Sequence, residues 1–347
     1  MSFRYIGSKA RVTRAILDRV GEPDGGIFHD AFSGTGVVAR AASEAGWKVH
    51  VNDHLISSAI MSLARVTSSE QADFSLIGGY SQAIDELNAA EPVSGFIWRE
   101  YSPASARHCD VERMYFTEHN AKKIDGMRRQ IEQWRNDGSL NDAETYVLIA
   151  DLMGAANRVA NTAGTYGCFL SRWQKQSLAN IAVVARILPQ QAPHATMTSD
   201  DVAKLHYELE DTVYFDPPYT KRQYAAYYHV LETIALGDEP TIGGVCGIRP
   251  WKDKASDYCY KARAAMALER LVEGCRARRV FLSYSAEGHV SLDVLASKLE
   301  NVGRVQLHDL DQIGRYRPNR KACQAGSEVQ EVLFEVQKSA RPYCLTA

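Results

Sequence analysis

Short apolar runs alternating with amphipathic helical stretches restrict what this chain can become more than any other feature. Ile27 to Phe32 has the character of a strand, Thr35 to Ala45 of a helix, and Lys48 to Asn52 of a second strand with another helix behind it. The rhythm returns with strand patterns at Ala195 to Thr198, Thr212 to Phe215, Val280 to Tyr284, Arg304 to His308 and Val329 to Val336. Helical patterns lie among them at Tyr224 to Leu236, Tyr258 to Arg276 and Val290 to Leu299. Parallel strands need a crossover long enough to hold a helix, and the spacing supplies one. An α/β fold follows: a doubly wound, mostly parallel sheet, with an antiparallel strand or two allowed at the end. Between Ser57 and Pro193 the rhythm lapses into mainly helical text, with apolar spacing in Asn120 to Trp134 and Ala143 to Asn161. The expected division is residues 1–56 with 194–347 for the α/β domain, and 57–193 for an inserted, mainly α-helical one.

Composition excludes several classes. No run approaches the roughly 20 apolar residues of a membrane span, and the N-terminal residues lack the apolar core of a signal peptide, so a cytoplasmic address is expected. Seven cysteines are scattered without metal-ligand or disulfide-framework spacing, so no metal is expected. A net charge of −2 gives no overall attraction to a polyanion, and any nucleic-acid surface has to be a local patch. Two stretches qualify. Leu152 to Ser199 contains no acidic residue but holds Arg158, Arg172, Lys175 and Arg186. Arg315, Arg317, Arg320 and Lys321 crowd around Tyr316.

The sharpest local motif is Asp216-Pro217-Pro218-Tyr219, directly after the strand pattern Val213-Tyr214-Phe215. Two prolines can neither continue a central strand nor enter a helix interior, so the chain leaves the strand in a stiff turn. That puts Asp216 and Tyr219 at the carboxyl edge of the sheet, where open α/β sheets bind ligands. An acceptor there can take hydrogen bonds from the N–H groups of an exocyclic amine and draw its nitrogen lone pair out of conjugation, and a flat ring can hold a base. Asp30-Ala31-Phe32-Ser33-Gly34-Thr35-Gly36 is a second strand end, with glycines for a tight turn and close backbone approach. It falls short of a complete dinucleotide fingerprint because Ala39 stands where the third glycine would be. Asp53 ends the next strand, placed to accept ribose hydroxyls or to cap a helix. Arg4-Tyr5-Ile6-Gly7-Ser8-Lys9 leads into a basic amphipathic helix.

In this order the segments resemble the Dam-type, or α-class, DNA adenine-N6 methyltransferases. That family runs from an aromatic-x-Gly-x-Lys segment through a Phe-x-Gly-x-Gly loop and a target-recognition insertion to Asp-Pro-Pro-Tyr. The resemblance covers most of the chain, with Thr198-Ser199-Asp200-Asp201 and Leu282-Ser283-Tyr284-Ser285 similar to two further family segments. It implies a Rossmann-like methyltransferase sheet and S-adenosylmethionine as cofactor. Tyr5, Lys9, Phe32, Ser33, Gly34, Thr35, Gly36, Asp53 and either Asp200 or Asp201 would surround that cofactor. Asp216, with the backbone of Pro217 and Pro218, would lie between cofactor and target amine, and Tyr219 would stack on a flipped adenine.

Asn161-Thr-Ala-Gly164-Thr165-Tyr166 resembles the family's recognition segment, which makes Arg158, Asn161, Thr165, Tyr166, Arg172 and Lys175 candidate DNA contacts, with Arg315, Arg317 and Arg320 gripping phosphates. The stretch from Arg113 through Tyr115, Phe116 and Asn120 to Lys122 offers a second mixed aromatic and basic surface, and Tyr224, Tyr227, Tyr228 and Glu232 line a base pocket unless the tyrosines pack the core. The resemblance implies double-stranded DNA as partner in a bacterial or phage setting, near the nucleoid. It leaves a cognate restriction endonuclease open; a monomer is expected, with a dimer open. Other readings stay beside it: amino-methyl transfer to RNA, to cytosine N4 or to glutamine, an inactive DNA-binding regulator on the same scaffold, and a nicotinamide oxidoreductase.

Overall fold

A computed structural model describes residues 6–310, 313–314 and 328–338. They form two compact units, one holding Lys9–His54, Pro193–Gln223 and the chain from Ser256 onward, the other holding Leu55–Ala192, Tyr224–Ala255 and the residues before Lys9. The segment at 224–255 therefore belongs with the helical unit, whereas the sequence pattern assigned it to the α/β domain. Among the described residues no helix is long and apolar enough to cross a membrane.

The first unit is mixed α/β. Its strands are β1 (Phe28–Asp30), β2 (Val49–Asn52), β3 (Ala195–Thr198), β4 (Thr212–Phe215), β5 (Arg279–Ser285), β6 (Arg304–Asp309), β7 (Ile313–Gly314), β8 (Glu328–Val329) and β9 (Glu331–Gln337). Seven of them make one sheet in the order β3-β2-β1-β4-β5-β9-β6, while β7 pairs only with β8. β1 to β5 run parallel, and β9 lies antiparallel between β5 and β6. Every residue of β4 is buried, as a strand covered on both faces requires. One face, carrying Val213, Phe215, Val280, Leu282, Val332 and Phe334, shares a core with helices α10 (Lys261–Gly274) and α11 (Leu292–Glu300). Helices α1 (Thr13–Val20) and α2 (Val37–Glu44) also belong to this unit, α2 packing on β1 and β2.

The strand ends are tied together by Asn52, a buried amide whose Nδ2 donates to the Ala31 and Asp200 carbonyls at 3.1 and 3.2 Å. Its Oδ1 accepts from the Thr198 hydroxyl at 2.8 Å and the Asp200 N–H at 3.0 Å. One side chain thereby fixes the ends of β1, β2 and β3 in a common frame.

The second unit contains α3 (Ile56–Val66), α4 (Tyr80–Ala89), α5 (Phe96–Tyr101), α6 (Glu118–Asn136), α7 (Asp142–Val159), α8 (Tyr224–Tyr227) and α9 (His229–Leu236). α7 begins with a capping box between Asn141 and Glu144 and is buried along most of its length, with α3, α6 and α9 packed against it. Gly126 in α6 permits a close crossing, since a Cβ there would sit 2.1 Å from the Glu91 carbonyl oxygen. The helix expected from Tyr224 to Leu236 is broken at Tyr228. The Tyr227 carbonyl accepts the Tyr166 N–H at 2.8 Å, so it is bonded outside its own helix.

Candidate functional site

Three strand ends of the α/β unit carry the motif residues. After β1 the chain turns through Phe32-Ser33-Gly34-Thr35-Gly36 into α2, and Gly34 and Gly36 take left-handed φ values of 52° and 74° that side chains disfavour. The turn is held by a Gly36 N–H to Ser33 carbonyl bond of 2.7 Å. From the end of β2, Asp53 accepts the Gly34 N–H at 3.0 Å, which fixes the loop to the neighbouring strand. Ser33 and Thr35 are buried, and the Ser33 hydroxyl has no hydrogen-bond partner among the described residues. Phe32 stands edge-on to Phe215 and Tyr258, with ring centroids 6.2 and 5.6 Å away. The sequence did not single out Tyr258.

Asp30, at the end of β1, is buried and accepts the Ala39 N–H at 3.0 Å in the first turn of α2. Burial pushes its carboxyl up to about 8; the Ala39 bond opposes this, and the like charges of Asp216 and Asp53 add to it. The two aspartates after β3 divide their duties. Asp201 caps a short 3₁₀ turn, accepting the Ala203 N–H at 3.0 Å, whereas the exposed Asp200 is held through its backbone by Asn52.

Asp216 follows β4 directly and meets Lys9, with Nζ 3.2 Å from Oδ1. Lys9 is buried and forms a second ion pair of 2.7 Å with Glu331, the first residue of β9. Nζ also lies 5.3 Å from the centre of the Tyr219 ring. The Tyr219 hydroxyl donates to the other Glu331 oxygen at 3.3 Å, its carbonyl accepts the His289 N–H at 3.0 Å, and its ring meets Tyr284 at 5.8 Å. Burial raises the Asp216 carboxyl to about 6, with Lys9 opposing and Glu331 reinforcing the rise. For Lys9 burial works the other way, but Asp216, Tyr219 and Glu331 together outweigh it and hold the ammonium above its ordinary range. Lys9, Asp216, Pro217, Pro218 and Tyr219 thus converge as their motifs suggested. Glu331 joins them unannounced; the only sequence hint was an acid inside an apolar strand pattern.

In the helical unit several expected surface residues turn inward. Asn161 is fully buried: Nδ2 donates to the Leu170 carbonyl at 2.9 Å and Oδ1 accepts the Gln174 N–H at 3.0 Å. Tyr166 is equally buried, and its carbonyl receives the Tyr115 hydroxyl and His229 Nε2, each at 2.9 Å. Both side chains shape the 161–174 loop and do not face solvent. Arg113, Tyr115, Phe116 and Asn120 are buried too, and of that expected aromatic and basic surface Lys122 stays half-buried, its Nζ 5.1 Å from the centre of the Trp98 ring. Arg158 donates to the Ala182 carbonyl at 2.8 Å, and Arg186 pairs with buried Asp151 at 2.7 Å. Glu232 is buried and accepts the Ile56 and Ser57 N–H groups at the start of α3. Arg172 and Lys175 are exposed and Thr165 is half-buried. Tyr5, Arg315, Arg317 and Arg320 lie outside the described residues.

The sequence that builds this geometry has relatives. The family described as D12 class N6 adenine-specific DNA methyltransferase matches residues 5–293. Modification methylase StsI of Streptococcus sanguinis is 32% identical over 96% of this chain, and type II methyltransferase M.FokI of Planomicrobium okeanokoites is 33% identical over 96%. The chain spans only 52% of the length of each. Type II methyltransferase M.NlaIII of Neisseria lactamica is 31% identical over 87% of this chain and 89% of its own length. No solved structure matches the chain. With the family match running from the segment before Lys9 past the Asp216 turn, the chain belongs to the D12 class of N6 adenine-specific DNA methyltransferases.

Proposed function

We propose that this chain is a site-specific, Dam-type (α-class) DNA methyltransferase that uses S-adenosylmethionine to methylate the N6 amine of an adenine flipped out of double-stranded DNA. The observation that carries this reading is the convergence of Asp216, Lys9 and Tyr219 in the same unit as the Phe32 to Gly36 loop. The residues present fit the cofactor. A buried hydroxyl without a partner at Ser33 and two left-handed glycines are features of a loop built around a ligand. Phe32 to Gly36 would wrap the cofactor, Asp53 would hold its ribose, and Lys9 and Tyr5 would wall its methionine end. With Asp201 engaged as a cap, Asp200 is the acid left to meet the cofactor's adenine amine. When bound, the cofactor supplies an electrophilic methyl group.

The protein's own part is positioning and electrostatics. An adenine amine is a weak nucleophile because its lone pair is delocalised into the ring. Asp216 and the Pro217 carbonyl would accept its two N–H groups and concentrate the pair on nitrogen. Tyr219 would hold the extruded base by stacking, replacing the neighbours it lost in the duplex. As the nitrogen becomes cationic, the Asp216 carboxylate stabilises the charge and is placed to take the departing proton.

The helical unit, an inserted target-recognition domain around 57–193 joined by 224–255, would read the DNA. Thr165, Arg172 and Lys175 are its contact candidates, Arg158 can reach a phosphate only by leaving the Ala182 carbonyl, and Asn161 and Tyr166 set the shape of the loop. Arg315, Arg317 and Arg320 would add phosphate contacts, in the cytoplasm of a bacterial or phage-infected cell. Replacing Arg172 and Lys175 together with alanine should weaken duplex binding and lower the slope of log K against log salt by about 2, with cofactor binding unchanged. Fluorescence anisotropy across a salt series measures both.

The direct test is long-read sequencing for N6-methyladenine in plasmid DNA from a methylation-free host expressing this chain. Modified adenines confined to one short motif are expected. Unmodified DNA from a host containing folded, cofactor-binding protein would turn the reading toward RNA or toward a binding module without turnover.

A further inference from the structure

We propose that Glu331 is a positioning residue of the methyl-transfer site, holding Lys9 and Tyr219 in place and leaving the site with one negative charge more than Asp216 and Lys9 would give it. The proposal rests on the function proposed above. Glu331 opens β9, and because β9 runs antiparallel to β5, its first residue pairs with Ser285 at the carboxyl edge of the parallel strands. The side chain is 6% exposed, so its charge is withdrawn from water and has to be met by protein groups. Its two oxygens go to different partners: Oε2 to Lys9 Nζ at 2.7 Å and Oε1 to the Tyr219 hydroxyl at 3.3 Å. Glu335, four residues along the same strand, also divides its oxygens, Oε1 to Arg279 on β5 and Oε2 to His308 on β6, so both its partners are strand residues of the sheet; those of Glu331 are Lys9 and Tyr219, which meet at Asp216.

The charge count gives Glu331 its second role. Lys9 next to Asp216 alone would make a neutral pair, poorly matched to an amine that becomes cationic on accepting a methyl group. With Glu331 the cluster holds two carboxylates against one ammonium, so the developing cation meets a preset negative field. Asp216 also faces Asp30, Tyr214 and Tyr219, and among the described residues the cation that meets it is Lys9. Glu331 therefore ties the Tyr219 ring at its hydroxyl end while limiting how far Lys9 neutralises Asp216.

Single-turnover methylation of a duplex substrate by the full chain, measured from about pH 5 to about pH 9, tests this with Glu331→Ala and Glu331→Gln. The alanine variant should lose about 30-fold in rate, the scale of one charge-assisted hydrogen bond, with dissociation constants for cofactor and duplex within about threefold of the parent. The glutamine variant keeps the shape, with its Oε1 accepting from Lys9 and its Nε2 donating to the Tyr219 hydroxyl oxygen, and should lose about fivefold. It should also move the acidic limb of the profile to lower pH, because removing an anion beside Asp216 makes ionisation of Asp216 easier. Variants that melt earlier yet keep the parent's rate and acidic limb would overturn the proposal and leave Glu331 a structural anchor. If alanine prevents folding, the glutamine profile decides alone. A parent protein that methylates no DNA would overturn the underlying function, and this proposal with it.

Discussion

Asp216→Ala should lower the rate of methyl transfer to adenine by about a thousandfold or more, while S-adenosylmethionine still binds. Under the proposed function, the substitution removes the carboxylate that would accept the amine N–H and balance the charge developing on the nitrogen. It does not strand Lys9, which keeps its 2.7 Å partner Glu331, so the variant should fold with a melting temperature close to the parent's. Calorimetric titration with the cofactor beside single-turnover assays at saturating cofactor separates the two properties. The parent should also show an acidic limb near the Asp216 value of about 6, the rate dropping tenfold per pH unit below it as the carboxylate takes up a proton. A variant methylating at the parent's rate would end the case for Asp216 as the amine acceptor.

Lys9→Met should produce a different signature, with activity and stability responding to pH in opposite directions. Without the ammonium, the buried Asp216 and Glu331 face each other uncompensated, and the Asp216 carboxyl rises further above its unfolded value. The rate near neutral pH should fall about 100-fold and recover as pH rises through the raised Asp216 value. Stability runs the other way. Below about pH 6 Asp216 is protonated in the folded parent and the folded variant alike and the missing charge costs little; above it the folded parent releases a proton that the folded variant retains, so the deficit grows with pH. It should reach about 3 kcal/mol once Asp216 of the folded variant must also ionise. Urea melts at a series of pH values measure the deficit. A penalty that is flat with pH would mean that Lys9 serves as packing and not as a counter-charge.

The strands were legible because each is a short apolar run with a turn signal at its end, and all seven of the main sheet lie within a few residues of their expected places. Their order was not legible. Nothing local says that β9 enters between β5 and β6, since that choice depends on which edges remain unpaired after the parallel strands have formed. The same distinction divides the site. Asp216, Tyr219 and the Phe32 to Gly36 loop announce themselves through prolines and glycines that constrain the backbone locally. Glu331 does not, because its meaning comes from Lys9, 322 residues away.

Asn161, Tyr166 and Tyr115 misled for a related reason. Polar and aromatic residues around glycines resemble a recognition surface until their hydrogen bonds are followed to Leu170, Gln174 and His229, which satisfy them inside the helical unit. Glu232 is a further case: an acid beside tyrosines suggests a base pocket, but its carboxylate is taken by the first backbone donors of α3.

The late, reversed strand β9 also bears on when the site comes into being. Among the described residues of the main sheet β6 pairs with β9 alone, so although it precedes β9 in the chain it has no strand to pair with until β9 arrives. The contact of Glu331 with Lys9 joins residues 322 apart, and contacts of that range are the slow ones in folding, because a large loop must close before any gain is returned. The same docking event that completes the sheet delivers Glu331 to Lys9 and Tyr219. A chain halted short of that step would hold the Phe32 to Gly36 loop beside a Lys9 and a Tyr219 not yet held by Glu331, and under the proposed function the full rate of methyl transfer would come only with the last strand.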